Sequence, residues 1–493
     1  MIPFRRHLLS LLFLFAAGMF FVGPYAVGRI GAYMRFSGDD YCYSSALKSE
    51  GFFRGQIGAF NEVGRFNGDR YSLTLASFTT GLFGPRGYSA AVPAMLLLWL
   101  AGLFSVVYQL LRILGVERDW ESSIAASAAA TFFILLTNAD RFSTVYWVSA
   151  MYSYFGPLVA LVWLTTAILA MLRAKRVIWW MPLGLFALAW VFGAFSETGT
   201  VVQIVWLFIM TLATWWIERK RFWSRDYKVL LPPLLGSVLA LATMLLSPYA
   251  RLFLLSTSPN AQLWELALRT LRFSAEFYLR PGQGFTTPFM VEVLAFGAMG
   301  FLWSRSLDAN ARRSVSSLVF VFLAIFLAGW ILVAVSFSPS YLALHSNPSA
   351  RAEVPAHIIR NVAYAALSVT AGWYLGTAVR DRPGAFPFAV VATSLALFVT
   401  SLYPIRAYPN LFEGERFMMK WAYLWDQRDE QIREAAESRA ASVEVMVLDH
   451  PIPWVAELGS DPAAAYNLCA QEYYGIPAII ADLPGWDSYD PPG

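Results

Sequence analysis

Eleven stretches of this 493-residue chain are mostly apolar over about 20 residues, the length a helix needs to cross the hydrocarbon core of a bilayer. They fall at 8–30, 90–111, 122–138, 154–172, 177–195, 198–217, 229–249, 286–303, 315–337, 358–379 and 386–403. Composition agrees: 57% of residues are hydrophobic and 14% charged, where a soluble domain carries about 25% charge. An ordinary cytosolic enzyme and a disordered chain are excluded. Two cysteines do not make a disulfide scaffold. A net charge of +4 without a basic face argues against nucleic acid as a partner. The expected fold is an all-α polytopic membrane protein of about eleven transmembrane helices.

The first run follows Arg5, Arg6 and His7, as a secretory signal would, but it extends past Val22. A cleaved core spans about 7–15 residues, and no small-x-small site follows, so the run reads as an anchor that stays. Lys and Arg near span ends accumulate on the cytoplasmic side. Alternate loops carry Arg112 and Arg118; Arg173, Lys175 and Arg176; Arg219, Lys220, Arg221, Arg225 and Lys228; Arg305, Arg312 and Arg313; Arg380 and Arg382. The N-terminus is therefore expected in the cytoplasm and, with an odd span count, the C-terminus outside. The cytoplasmic loops are short and hold no phosphate-cradling Gly-Lys-Ser/Thr loop. The long segments, 31–89, 250–285, 338–357 and 404–493, are all outside, so any chemistry is expected at the outer face.

The first outer loop opens Ser37-Gly38-Asp39-Asp40-Tyr41-Cys42-Tyr43. Adjacent carboxylates near the lipid repel, which keeps one of them a usable base at neutral pH. The plainer account has Asp39 capping a helix that starts near Tyr41, with Asp40 solvated. Farther on, Arg65 lies in Gly64-Arg65-Phe66, and 71–83 is apolar but too short to span, as in a helix lying in the interface. A second outer loop, 139–153, offers Asp140, Arg141, Trp147 and Tyr152, followed by Tyr154. Aromatic faces can cover a sugar or form a membrane-surface belt. Glu197, in Ser196-Glu197-Thr198, sits at a span edge as a polar ligand or part of a helix start. In 338–357, Arg351 and His345 are the candidates for gripping a phosphate, and Arg360 begins the next span. Residues 260–280, with Arg269, Arg272 and Arg280, suit an interfacial helix. A divalent ion such as Mg or Mn on Asp39/Asp40, Asp140 or Glu197 is admitted, though no ligand spacing demands it.

The segment from Pro404 holds 15 of the 33 acids against 6 Lys/Arg. A charged amphipathic helix is expected over 413–440, with Trp421 and Trp425 on one face. A strand is expected over 442–449 and a further helix over 461–474, making 404–493 a small α/β outer domain beside the 1–403 membrane domain. Cys42 and Cys469 both lie outside, where they either pair across the chain or stay as two buried thiols.

These residues carry a resemblance. Asp-Asp-Tyr-Cys-Tyr after the first span, Gly64-Arg65-Phe66, the block Tyr146-Trp147-Val148-Ser149-Ala150-Met151-Tyr152-Ser153-Tyr154, Ser-Glu-Thr and Arg351 resemble a family of uncharacterised bacterial polytopic proteins. So do Trp425-Asp426-Gln427-Arg428-Asp429 and Asn467 to Gly475. That family is grouped with the GT-C glycosyltransferases, which use polyprenyl-phosphate sugars. The resemblance implies a GT-C-like membrane domain in the bacterial inner membrane, with a catalytic Asp after the first span, on Asp39 or Asp40. The implied activity is inverting transfer of a sugar from a polyprenyl-phosphate donor to an acceptor hydroxyl of a glycan, lipid or protein. The rivals are a lipid-linked glycan polymerase or ligase and a secondary transporter. Glu292 is the clearest ionisable residue inside a span, where a transporter would need several.

Overall fold

A computed structural model describes residues 3–62, 68–116, 120–138, 140–174, 176–218, 225–256, 263–280, 286–306, 315–344, 348–380, 382, 384–449 and 457–483. Ten helices among them are long and apolar enough to cross a membrane: His7–Gly31, Pro85–Ile113, Trp120–Thr137, Gly156–Arg173, Glu197–Trp216, Asp226–Leu245, Thr286–Trp303, Val319–Leu342, Ala350–Arg380 and Ala385–Leu411. The protein is thus a multi-pass, mostly helical membrane protein. The expected span at 177–195 forms a shorter helix, Trp180–Gly193, of 14 residues. Its open C-terminal carbonyls are closed from outside the helix. Tyr71 Oη donates to the Trp190 carbonyl at 2.7 Å, Ser72 Oγ to Val191 and Ser72 N to Ala194.

The first span turns at Phe21, between helices Pro3–Phe20 and Val22–Gly31. Pro24 has no N–H for the Phe20 carbonyl four residues back, so the ladder opens there. The expected outer loop 338–357 is corrected: helix Val315–Leu344 runs into it from one side and Ala350–Arg380 from the other. Pro339 and Pro355 lie inside these helices rather than ending them. Each removes one backbone bond, and the long apolar runs beyond hold the helix regardless. Arg351 consequently stands in the first turn of a helix, not on a loop.

Close packing between spans rests on small residues, as is usual where lipid replaces water. A Cβ built on Gly372 would lie 1.9 Å from the Gly297 carbonyl oxygen, and one on Gly300 2.1 Å from that of Val369. Helices Thr286–Trp303 and Ala350–Arg380 therefore meet backbone to backbone.

Between the first two spans lie helices Asp39–Glu50, Phe52–Asn61 and Tyr71–Gly81. The C-terminal segment packs on the first of these. Helix Glu415–Glu437 buries Trp421, Trp425 and Arg428 on one face, and strands Val443–Met446 and Ile479–Leu483 pair in parallel around helix Ala465–Tyr474. Trp425 Nε1 donates to the Phe36 carbonyl and to Tyr41 Oη, both at 3.1 Å. Arg35 pairs with Asp426 at 2.6 Å, and the buried Arg428 with Glu457 at 2.7 Å. Cys42 and Cys469 form a disulfide. Phe36, Tyr41, Trp425 and Cys469 belong to one apolar core that continues through Met151 and Ile358 into the bundle.

Candidate functional site

Gly38, at φ 51°, turns the chain into helix Asp39–Glu50 through a conformation that favours glycine. The two aspartates that follow have different surroundings. Asp40 is fully buried; its carboxylate accepts the Ser37 N–H at 3.1 Å and the Ser149 hydroxyl. Burial pushes this carboxyl well above its ordinary range, against the pull of the two donors. Asp40 therefore ties the helix start to helix Val148–Tyr154. Asp39 instead lines a pocket of about 140 Å³ with Tyr43, Arg70, Leu73, Trp147, Ser149, Ala150, Ser153, Tyr154 and Arg351. Burial raises the Asp39 carboxyl, while a hydrogen bond from Tyr466 and the charges of Arg351 and Arg70 pull it down. The plain capping account is thus turned round: Asp40 does the structural work and Asp39 faces open space.

Arg70 forms the second wall. It pairs with Glu197 at 2.8 Å, and Asp69 behind it shares a hydrogen bond with the Glu197 carboxylate. Burial, then the Glu197 charge, drive Asp69 up to about 8, so at neutral pH it holds a proton to donate. Arg70, Glu197 and protonated Asp69 sum to no net charge. Ser196 Oγ accepts the Gly199 N–H at 3.2 Å and starts the helix, which leaves Glu197 to the ion pair.

Trp147 is held between the π-helical turn Phe142–Tyr146 and helix Val148–Tyr154. It is 8% exposed, and its indole Nε1 is buried with no hydrogen-bond partner among the described residues. A buried donor without a partner costs about 1–3 kcal/mol. Arg351 is exposed beside it.

The structure brings Asp39, Trp147, Arg351 and, through Arg70, Glu197 to one place. Other candidates lie elsewhere. Asp140 accepts the Ser143 N–H at 3.1 Å within its own turn, and Arg141 donates to the Asn410 carbonyl at 2.8 Å. Tyr152 is buried and shares a hydrogen bond with Thr80. None of the three lines the pocket, because each is engaged in fastening local structure. His345 and Arg65 lie outside the described residues. Asp40, Asp140 and Glu197 point to separate partners, so the carboxylates offered for a divalent ion do not converge with Asp39. No group of three or more His, Cys, Asp or Glu suited to a metal occurs among the described residues.

Sequence reasoning missed Arg70, Asp69, Tyr43 and Tyr466. Two of them left a signal: Tyr43 closes the Asp-Asp-Tyr-Cys-Tyr run, and Arg70 is a second cation close to Arg65 in the same loop. A separate polar cluster lies inside the bundle. Arg360 donates to the Phe277 carbonyl at 3.1 Å and to His357 Nδ1 at 2.8 Å, and Thr137 bonds His357 Nε2 and Asn361. Glu292 is buried next to Arg360. Arg360 thus braces spans and takes no part in the pocket.

No protein-family model, curated protein or solved structure matches this chain.

Proposed function

We propose that the protein is an inverting glycosyltransferase that moves one sugar from a polyprenyl-phosphate donor to an acceptor hydroxyl. The observation that carries this reading is a carboxylate, Asp39, sharing a small pocket with two guanidiniums, Arg70 and Arg351, and the aromatic walls Trp147 and Tyr154. The pocket is built from segments that join spans, where a lipid donor keeps its tail in the bilayer and presents its headgroup. The distribution of basic loops supports reading this end as the outer face, and the resemblance supports a bacterial plasma membrane.

Asp39 takes the proton of the acceptor hydroxyl. The acceptor oxygen attacks the anomeric carbon, and the bond from that carbon to the phosphate oxygen breaks on the opposite side. The electron pair leaves with the polyprenyl phosphate. Its growing charge is met by Arg351, with Arg70 held in place by Glu197. An elevated carboxyl is the better base for this step. Tyr154 and Trp147 cover the sugar with their aromatic faces.

Native mass spectrometry in nanodiscs against a panel of polyprenyl-phosphate monosaccharides tests this. Wild type is expected to bind a donor and release its sugar, and Asp39→Asn to bind without release. Absence of binding to every lipid-sugar would sink the assignment. One observation favours a second reading, a secondary transporter: the Glu292–Arg360–His357 cluster buried among spans. Uptake into proteoliposomes that is lost in Glu292→Gln but retained in Asp39→Asn would select it.

A further inference from the structure

Helices Asp39–Glu50 and Ala465–Tyr474 lie side by side in the same direction, joined at three rungs. The Tyr466 hydroxyl faces the Asp39 carboxylate and pulls that carboxyl down. One turn on, Cys42 is disulfide-bonded to Cys469, with Cα atoms 4.7 Å apart. Farther along, Lys48 Nζ donates to the Tyr473 carbonyl at 2.6 Å. The first two rungs are each three residues apart on both helices, so side chains on one face of each helix meet twice in succession. No motif in the chain predicts that the pocket's carboxylate takes a partner from the last helix.

We propose that Tyr466 is a positioning residue of this site: the C-terminal segment supplies a hydroxyl that orients and holds the charge of Asp39, and the Cys42–Cys469 disulfide keeps that hydroxyl in reach. A phenol donating to one carboxylate oxygen leaves the other for the acceptor proton and fixes the rotation of the carboxyl group. Burial and the Asp39 charge raise the Tyr466 hydroxyl to about 12, so it remains a donor at every working pH. The other groups facing Asp39 are Asp40 and Tyr43 from its own helix, Arg70 with Asp69 and Glu197 behind it, and Arg351 from helix Ala350–Arg380. Of these, Tyr466 alone comes from the C-terminal segment.

Only the consequence for catalysis rests on the transferase reading; the contact itself is tested on Asp39. Dicyclohexylcarbodiimide labels carboxyls in their protonated form. Its labelling of Asp39 is followed by peptide mass spectrometry across pH in nanodiscs holding the full chain. Tyr466→Phe keeps the ring and removes the donor, so the labelling midpoint is expected to rise by at least about half a pH unit. Reduction of the folded wild type with a phosphine is expected to move it in the same direction, and Tyr473→Phe to leave it in place. The reduction arm needs no variant to fold. A midpoint unmoved by Tyr466→Phe, or Asp39 unlabelled in wild type at every pH, overturns the role of Tyr466. A midpoint unmoved by reduction overturns that of the disulfide. Sugar release can fail in every sample without affecting either result.

Discussion

Gly372 faces Gly297 so closely that a single added methyl would sit 1.9 Å from the carbonyl oxygen opposite. Neither backbone can yield without parting helices Thr286–Trp303 and Ala350–Arg380. Gly372→Ala is therefore expected to destabilise the bundle by about 1–3 kcal/mol, the usual cost of overpacking. It should lower the thermal midpoint in detergent, read by fluorescence-detected size exclusion. Gly184→Ala is the matched control, since nothing lies within 4 Å of its Cβ position. It is expected to be neutral or stabilising.

Asp39 and Asp40 should separate activity from stability. Asp40→Ala strips the Ser37 N–H and the Ser149 hydroxyl of their acceptor, with an expected cost of about 1–3 kcal/mol. Asp39→Asn should leave the thermal midpoint close to wild type while abolishing sugar release. Equal unfolding temperatures for the two variants would contradict this division.

Asp69 gives the protein a pH dependence of defined sign. Its carboxyl is raised in the folded state to about 8, so between the unfolded value near 4 and about 8 only the folded protein holds the proton. The stabilisation is complete below the unfolded pKa and is lost as pH rises through about 8. Thermal midpoints recorded from pH 5 to 9 should fall from pH 5 to about 8 and level off above it, and Asp69→Asn should flatten the fall. In Glu197→Gln the neighbouring charge is gone, so the Asp69 carboxyl stretch in infrared titration is expected at lower pH than in wild type.

Arg428 is buried against Glu457 at 2.7 Å. Removing one member of a buried pair costs about 3–5 kcal/mol. Arg428→Ala should loosen the C-terminal segment first, visible as faster cleavage between helix Glu415–Glu437 and strand Val443–Met446 in limited proteolysis.

The spans were legible because about 20 apolar residues in a row admit few alternatives. The Trp421/Trp425 face was legible because helical spacing shows which residues share a side. The outer loop 338–357 was misread because helix continues through Pro339 and Pro355, where a missing backbone bond weighs less than the adjoining apolar run. The pocket was half legible. Asp39 and Trp147 stand beside span ends, where position alone marks them. Arg70 and Glu197 are 127 residues apart, and Tyr466 reaches Asp39 from the far end of the chain. Single polar residues in connecting segments carry no period, so only the folded chain reveals such partners.

The Cys42–Cys469 bond also counts membrane crossings. It closes a ring of chain with a sequence separation of 427, and both sulfurs must stand on one side of the bilayer. The number of passes within the ring is therefore even. Nine of the ten long helices lie inside it, from Pro85–Ile113 to Ala385–Leu411, and only His7–Gly31 lies outside. With each crossing once, parity calls for a tenth pass, and Trp180–Gly193 is the one other apolar helix of ten or more residues among those described. At about 1.5 Å per residue its 14 residues reach about 21 Å, against a hydrocarbon thickness near 30 Å. A helix this short is met by thinning of the bilayer or by flanking side chains that reach the interface. Its C-terminal end is held by Tyr71 and Ser72, so any such adjustment falls next to Arg70.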